Sequence, residues 1–124
     1  KKAIEIITQG LVDLSISNGE LNELIEKGAY RDFYMHRVGH WMGMDVHDVG
    51  SYGLNGKWRK YSPGMITTIE PGIYFKENLK NVPEEYLNIG IRIEDDVLVT
   101  EDDPEVLTSS VPKTIIEIEK VMSS

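Results

Sequence analysis

All three histidines of the chain, His36, His40 and His47, fall within "MHRVGHWMGMDVHDVG", residues 35–50. Two glutamates stand in strand-like surroundings: Glu70 just before Pro71-Gly72, and Glu94 within "IGIRIEDDVLVT". An acid on a half-buried strand is costly unless something pairs with it. Neutral imidazole and carboxylates together suit a divalent transition metal, and an oxygen-rich set favours manganese or cobalt. Carboxylates can bridge two ions, so several acids with one histidine point to a two-metal centre that activates water. The spacing of His36 and His40 would suit a helical zinc pair. Gly39, Gly43 and Gly50 oppose a helix there, so that spacing carries little weight.

Each of these residues also has a plainer reading. His36 could pack beside Phe33 and Tyr34. His40 could be a hydrogen-bonded core residue. Asp48 could orient His47 or simply form a turn. Arg92 could neutralise Glu94, although same-face neighbours on one strand are poorly placed for a bidentate contact. The Met and Trp side chains of the segment read as packing or pocket wall. Residue types alone leave these alternatives open.

The elements that must position these groups read as follows. Ile4, Ile7, Leu11 and Leu14 recur at helical spacing, so residues 2–14 form an amphipathic helix. A second, short helix lies within residues 17–28, with Ser17 and Glu20 at capping-box spacing and Gly28 as its stop. The histidine segment is extended chain and loops, and residues 51–64 are a loop closed by Pro63-Gly64. "MITTIEPGIYF" is a strand broken at Pro71-Gly72, and residues 78–88 are irregular. Residues 89–100 read as one strand, with Ile89, Ile91 and Ile93 on one face and Gly90, Arg92 and Glu94 on the other. A turn, a further strand in "VLTSS" and a closing helix follow. Pro112 is placed early in that helix and Ile115, Ile118 and Met122 on one face. Helices, then strands, then a helix imply an α+β class.

The totals exclude more than they select. The 124 residues suffice for one domain. The net charge of −8 and a pI near 4.8 oppose nucleic acid and anionic membranes as partners. The chain has no cysteine, which excludes disulfides, thiolate metal sites and Cys nucleophiles and fits a cytoplasmic location. No apolar run reaches the length of a membrane span.

Three motifs, "MHRVGHWMGMDVHDVG", "TTIEPGIYF" and "GIRIEDDVLVTEDDPEVLTSS", together resemble the catalytic domain of the Xaa-Pro aminopeptidases (aminopeptidase P) of the pita-bread metallopeptidase family. The resemblance covers only the C-terminal half of that domain, so residues 1–124 are expected to be a partial catalytic domain: a curved, mostly antiparallel sheet with flanking helices. It implies His40, Glu70 and Glu94 as metal ligands, with Glu94 bridging two ions and Glu70 also handling the proton of the attacking water. It implies His47 at the scissile peptide, His36 in the pocket near proline, and Arg92 supporting the acidic ligands. Two Mn2+ ions are implied, with Co2+ or Zn2+ as alternatives, and a metal-activated hydroxide that cleaves an N-terminal Xaa-Pro bond. The substrates implied are peptides with proline in second position.

The family's two aspartate ligands lie upstream of the matched motifs. The chain alone is therefore expected to hold one ion weakly, or none, and to lack useful activity without the missing N-terminal half of the domain. A surface normally covered by that half favours a homo-oligomer. Two other readings stand beside this one: a prolidase specific for Xaa-Pro dipeptides, and a non-catalytic peptidase-like module that binds peptides or proteins. The presence of His40, His47, Glu70, Arg92 and Glu94 favours an enzymatic origin.

Overall fold

A computed structural model of the chain describes residues 1–123. These form two compact units, one of residues 1–38 and 71–92, the other of residues 39–70 and 93–124. All strand pairings are antiparallel, and they form three separate hydrogen-bonded sheets rather than one. With three α-helices alongside, the α+β class holds. Among the described residues, no helix is long and apolar enough to cross a membrane.

The first unit holds an apolar core. Helix α1 (Lys2–Asp13) presents Ile7 and Leu11 inward, as the spacing requires, and Leu11 is 1% exposed. These side chains meet Phe33, Tyr34 and Phe75, with Ile4, Tyr30, Ile73 and Tyr86 at the margin. The Phe33 and Phe75 rings meet edge to face at 5.5 Å, and Tyr86 stacks on Phe75. Burying side chains of this size contributes about 1.5–3 kcal/mol each. Helix α2 (Leu21–Lys27) ends, as expected, at Gly28 in the left-handed conformation (φ 70°).

The expected capping box of α2 does not form. Glu20 is the N-cap and makes no side-chain cap bond. The Ser17 amide instead donates to the Leu11 carbonyl, which also accepts from Ile16, so this stretch closes α1. Strand β4 (Gly72–Phe75) pairs with β5 (Ile89–Arg92) in the same unit.

The second unit contains a hairpin, β1 (Gly53–Leu54) with β2 (Lys57–Trp58), and a three-stranded sheet in the order β3 (Ile66–Ile69), β6 (Asp95–Leu98), β7 (Glu105–Val106). Residues 51–64 are thus not all loop. Asn55 (φ 52°) and Gly56 (φ 74°) both take the left-handed conformation that a two-residue hairpin turn requires. Nor are residues 89–100 one strand. Pairing stops after Arg92 and resumes at Asp95 in another sheet, so Glu94 lies in the break. The first strand-like stretch is interrupted at the corresponding place by Pro71, which has no N–H to give a ladder.

Helix α3 (Ile115–Met122) starts at a reciprocal cap. The Glu117 amide donates to Thr114 Oγ1 at 3.3 Å, and the Thr114 amide donates to Glu117 Oε2 at 3.0 Å. Pro112 therefore precedes the cap instead of occupying the first turn. The helix buries none of its side chains, so Ile115, Ile118 and Met122 do not form a covered face here.

The Thr114 backbone N–H, then the Thr114 hydroxyl, hold the Glu117 carboxyl below its usual value of 4.5. A carboxylate with a depressed folded-state pKa contributes stability above its ordinary value and loses it as pH falls through the folded one. Amide protection at Glu117 and Ile118 is therefore expected to decline on acidification below pH 4.5. Glu117→Gln, which keeps an acceptor but does not titrate, should flatten that decline in hydrogen-exchange measurements.

Candidate metal centre

The sheet of the second unit gathers the expected ligands through its register. Thr67 pairs with Val97, Thr68 with Asp96 and Ile69 with Asp95. One further step along the same register sets Glu70 against Glu94. Directly opposed residues of an antiparallel pair share a face. On the other side of β3, Trp41 bridges Thr67, the Thr68 amide donates to the His40 carbonyl at 3.0 Å, and the Met42 amide donates to Ile66. His40 therefore stands opposite Thr68, on the face that also carries Glu70. Ligand atoms of His40, Glu70 and Glu94 all lie within 4.8 Å of one another.

Gly39 permits this approach. A Cβ at Gly39 would overlap the Thr68 carbonyl oxygen, so only glycine lets the two backbones come together. His40 Nδ1 lies 2.9 Å from the Trp41 carbonyl oxygen, which can only accept. Nδ1 therefore carries the proton, and Nε2 offers its lone pair in the neutral ring. That nitrogen is 3.3 Å from Glu70 Oε1. Glu70 is only 9% exposed. An imidazole nitrogen and two carboxylates gathered this closely are an arrangement that positive charge relieves, whether a proton on the ring or a bound cation. The donor set, one imidazole nitrogen and two carboxylates, fits a divalent cation.

Two buried hydroxyls hold these groups. Thr67 Oγ1 donates to the His40 carbonyl at 3.0 Å. Thr68 Oγ1 accepts the His40 amide at 3.0 Å and donates to Glu70 Oε1 at 3.2 Å. Neither threonine stands out by residue chemistry or motif in the sequence. The available signal was two adjacent threonines on a strand, immediately before an acid.

His47 reaches the same place by a tight loop. Its ring meets that of His40 with centroids 4.4 Å apart and planes at 67°. Asp48 closes the loop by accepting the Met44 and Val49 amides, at 3.1 and 2.8 Å, which is the turn-forming alternative. His47 is exposed, and His40 is half-buried beneath it.

The remaining two candidates belong to the first unit. His36 sits between aromatic rings, edge to face with Tyr34 at 5.1 Å and Tyr74 at 5.5 Å. Its Nδ1 lies 2.7 Å from the Arg37 carbonyl, so Nε2 accepts from the Tyr74 hydroxyl at 3.1 Å. The expected contact with Tyr34 is present. Arg92 ends β5, paired with Gly72. The break in the strand removes the premise that Arg92 and Glu94 are same-face neighbours.

A model of metallopeptidase family M24 matches residues 1–101. The chain is 55% identical over 122 residues to the Xaa-Pro aminopeptidase of Haemophilus influenzae, and 49% identical over 121 residues to that of Escherichia coli. Each match covers 98% of this chain, but only 28% and 27% of the relative. Among solved structures, an aminopeptidase of Pseudomonas aeruginosa superposes with a TM-score of 0.92 at 53% identity. Aminopeptidase P of E. coli with the inhibitor Pro-Leu gives 0.89 at 49%. Both cover 97% of this chain and 27% of the other. The chain thus spans little more than a quarter of the length of these relatives.

Like charges set directly opposite on adjacent strands destabilise a sheet by a few tenths to about 1 kcal/mol. Glu94→Gln is therefore expected to raise the metal-free chain's stability to urea by about 0.5 kcal/mol. Equal or lower stability of the variant would contradict repulsion between Glu70 and Glu94.

Proposed function

The chain belongs to metallopeptidase family M24, and on that premise we propose that it carries part of the metal- and substrate-binding machinery of an Xaa-Pro aminopeptidase, an enzyme that hydrolyses the bond between an N-terminal residue and a following proline. The observation that carries the proposal is the convergence of His40, Glu70 and Glu94 within 4.8 Å. In this reading His40 Nε2 and the carboxylates of Glu70 and Glu94 would hold Mn2+, with Co2+ and Zn2+ as alternatives. A divalent ion bound there supplies Lewis acidity and makes water a competent nucleophile near neutral pH.

The chain's own residues do the rest. Glu70 takes the proton of the attacking water. His47, exposed at the rim and braced against the His40 ring, donates a hydrogen bond to the scissile carbonyl oxygen as charge develops on it. The scissile nitrogen belongs to the proline ring and has no N–H to donate, so a pocket shaped for the ring accounts for selectivity better than a hydrogen bond to that nitrogen. His36, set among aromatic rings of its own unit, is the residue that the family resemblance assigns to proline. Arg92 is assigned to the acidic ligands by the family resemblance alone.

The family resemblance supplies two further aspartate ligands from sequence upstream of the matched motifs. The reading therefore includes one weak ion site and little turnover for the 124-residue chain alone. It also includes a cytoplasmic setting and self-association. Ile115, Ile116 and Met122, each more than three-quarters exposed on α3, supply apolar surface for association.

Calorimetric titration of the chain with Mn2+ should show a single weak site, lost in His40→Ala. Tight binding of two ions by the chain alone, or unchanged binding in the variant, contradicts the proposal. The longer polypeptide that contains this chain should cleave Xaa-Pro-Yaa peptides in preference to Xaa-Pro dipeptides. The opposite preference would indicate a prolidase.

A further inference from the structure

We propose that Thr68 is a positioning residue whose single hydroxyl locks the backbone of His40 to the carboxylate of Glu70, and so sets the distance between two ligands of the metal centre. The inference rests on the metal reading above and goes beyond it, because Thr68 itself touches neither metal nor substrate in that reading.

Hydrogen-bond directions leave the hydroxyl one arrangement. The His40 amide can only donate, so Thr68 Oγ1 accepts at that 3.0 Å contact. Its one proton is then free to go to Glu70 Oε1 at 3.2 Å, which as a carboxylate oxygen accepts. The Thr68 side chain is fully buried, at 0% exposure, so water does not compete for either bond. Its backbone is fixed from both sides as well. The amide donates to the His40 carbonyl at 3.0 Å, and the residue pairs with Asp96 in the neighbouring strand. A rigid residue thus makes one bond to each ligand residue and, with the ring oriented by the Trp41 carbonyl, holds His40 Nε2 and Glu70 Oε1 3.3 Å apart.

Orientation of Glu70 is the second consequence. Oε1 is engaged by Thr68, so rotation of the carboxylate breaks that bond. Without the hydroxyl, Glu70 Oε1 loses the bond that ties it to the residue holding the His40 backbone. A carboxylate that must be ordered again on binding holds a metal less tightly. Groups that orient metal ligands from behind are typically worth 10- to 100-fold in affinity.

The test compares the chain with Thr68→Val, which keeps the shape and removes the hydroxyl, and Thr68→Ser, which keeps the hydroxyl and removes the methyl. Mn2+ affinity by calorimetry should fall about 10-fold or more in the Val variant and stay within a few-fold of the parent in the Ser variant. A merely structural threonine would lower thermal stability in both and leave affinity alike in both, and that result overturns the proposal.

A metal-free readout runs in parallel. Exchange of the His40 amide should be slow in the parent and in Thr68→Ser, and accelerated at least 10-fold relative to neighbouring amides in Thr68→Val. If Thr68→Val does not fold, the Ser variant decides: loss of both amide protection and affinity overturns the proposal, and retention of both supports it. If the parent binds no Mn2+ while the His40 amide still depends on the hydroxyl, the metal reading fails and the positioning role stands.

Discussion

Two carboxylates brought together just beyond the last pairing of an antiparallel ladder are the constraint on which the site depends. Continuing the β3–β6 register opposes Glu70 to Glu94, and nothing in strand propensity favours that pairing. Opposed acids cost stability, and a lone pair on His40 Nε2 beside them adds to the cost. Polar residues retained against such a penalty are usually retained for what they bind. The sheet makes the concentration of negative charge durable. Because register is quantised, a slip of one residue would turn Glu70 to the opposite face.

The same logic explains which residues fill the interior of the second unit. Its well-buried positions are Thr67, Thr68 and Glu70, all polar. The first unit instead buries Ile7, Leu11, Phe33 and Phe75. An apolar side chain at Thr68 would bury as well and would leave the His40 amide without its acceptor. The second unit gives up apolar burial so that a backbone amide, a carbonyl and a carboxylate are all satisfied next to a half-buried imidazole. Gly39 belongs to this bargain. Its missing side chain is what lets the His40 strand lie against β3.

Periodicity revealed what depends on one-dimensional pattern. The apolar spacing of Ile4, Ile7 and Leu11 marks α1, the glycine at 28 marks the end of α2, and Pro71-Gly72 marks the break between the strands on either side of it. Residue chemistry together with the motif resemblance picked out the trio that converges. What escaped were features in which a residue serves a neighbour distant in sequence. Ser17 has capping-box spacing, yet its amide is taken by the Leu11 carbonyl. The alternation of Ile89, Ile91 and Ile93 runs past the break after Arg92, because side-chain pattern does not record a change of partner strand. Asn55-Gly56 was a legible turn signal that the abundance of loop-forming residues around it masked.

The break at Ile93-Glu94 has a chemical use. A glutamate held within a ladder has its backbone fixed by pairing on both sides, and its side chain stands nearly perpendicular to the sheet. Glu94 follows the end of β5 and precedes the start of β6, so its carboxylate can lean toward Glu70 and His40 while Asp95 begins the ladder. Asp95 is in turn anchored. It accepts the Thr108 hydroxyl at 2.6 Å and meets Lys113 Nζ at 2.9 Å, and the Thr108 bond, then Lys113, hold its carboxyl below the usual range. Freedom at one residue and fixation at the next is the combination a metal ligand needs: room to adjust to an ion's radius, on a backbone that does not drift. Glu70 is arranged the other way, with a buried carboxylate held by Thr68. One rigid and one adjustable carboxylate, set against an imidazole of fixed tautomer, make a site that selects by geometry without having to be fully formed in advance.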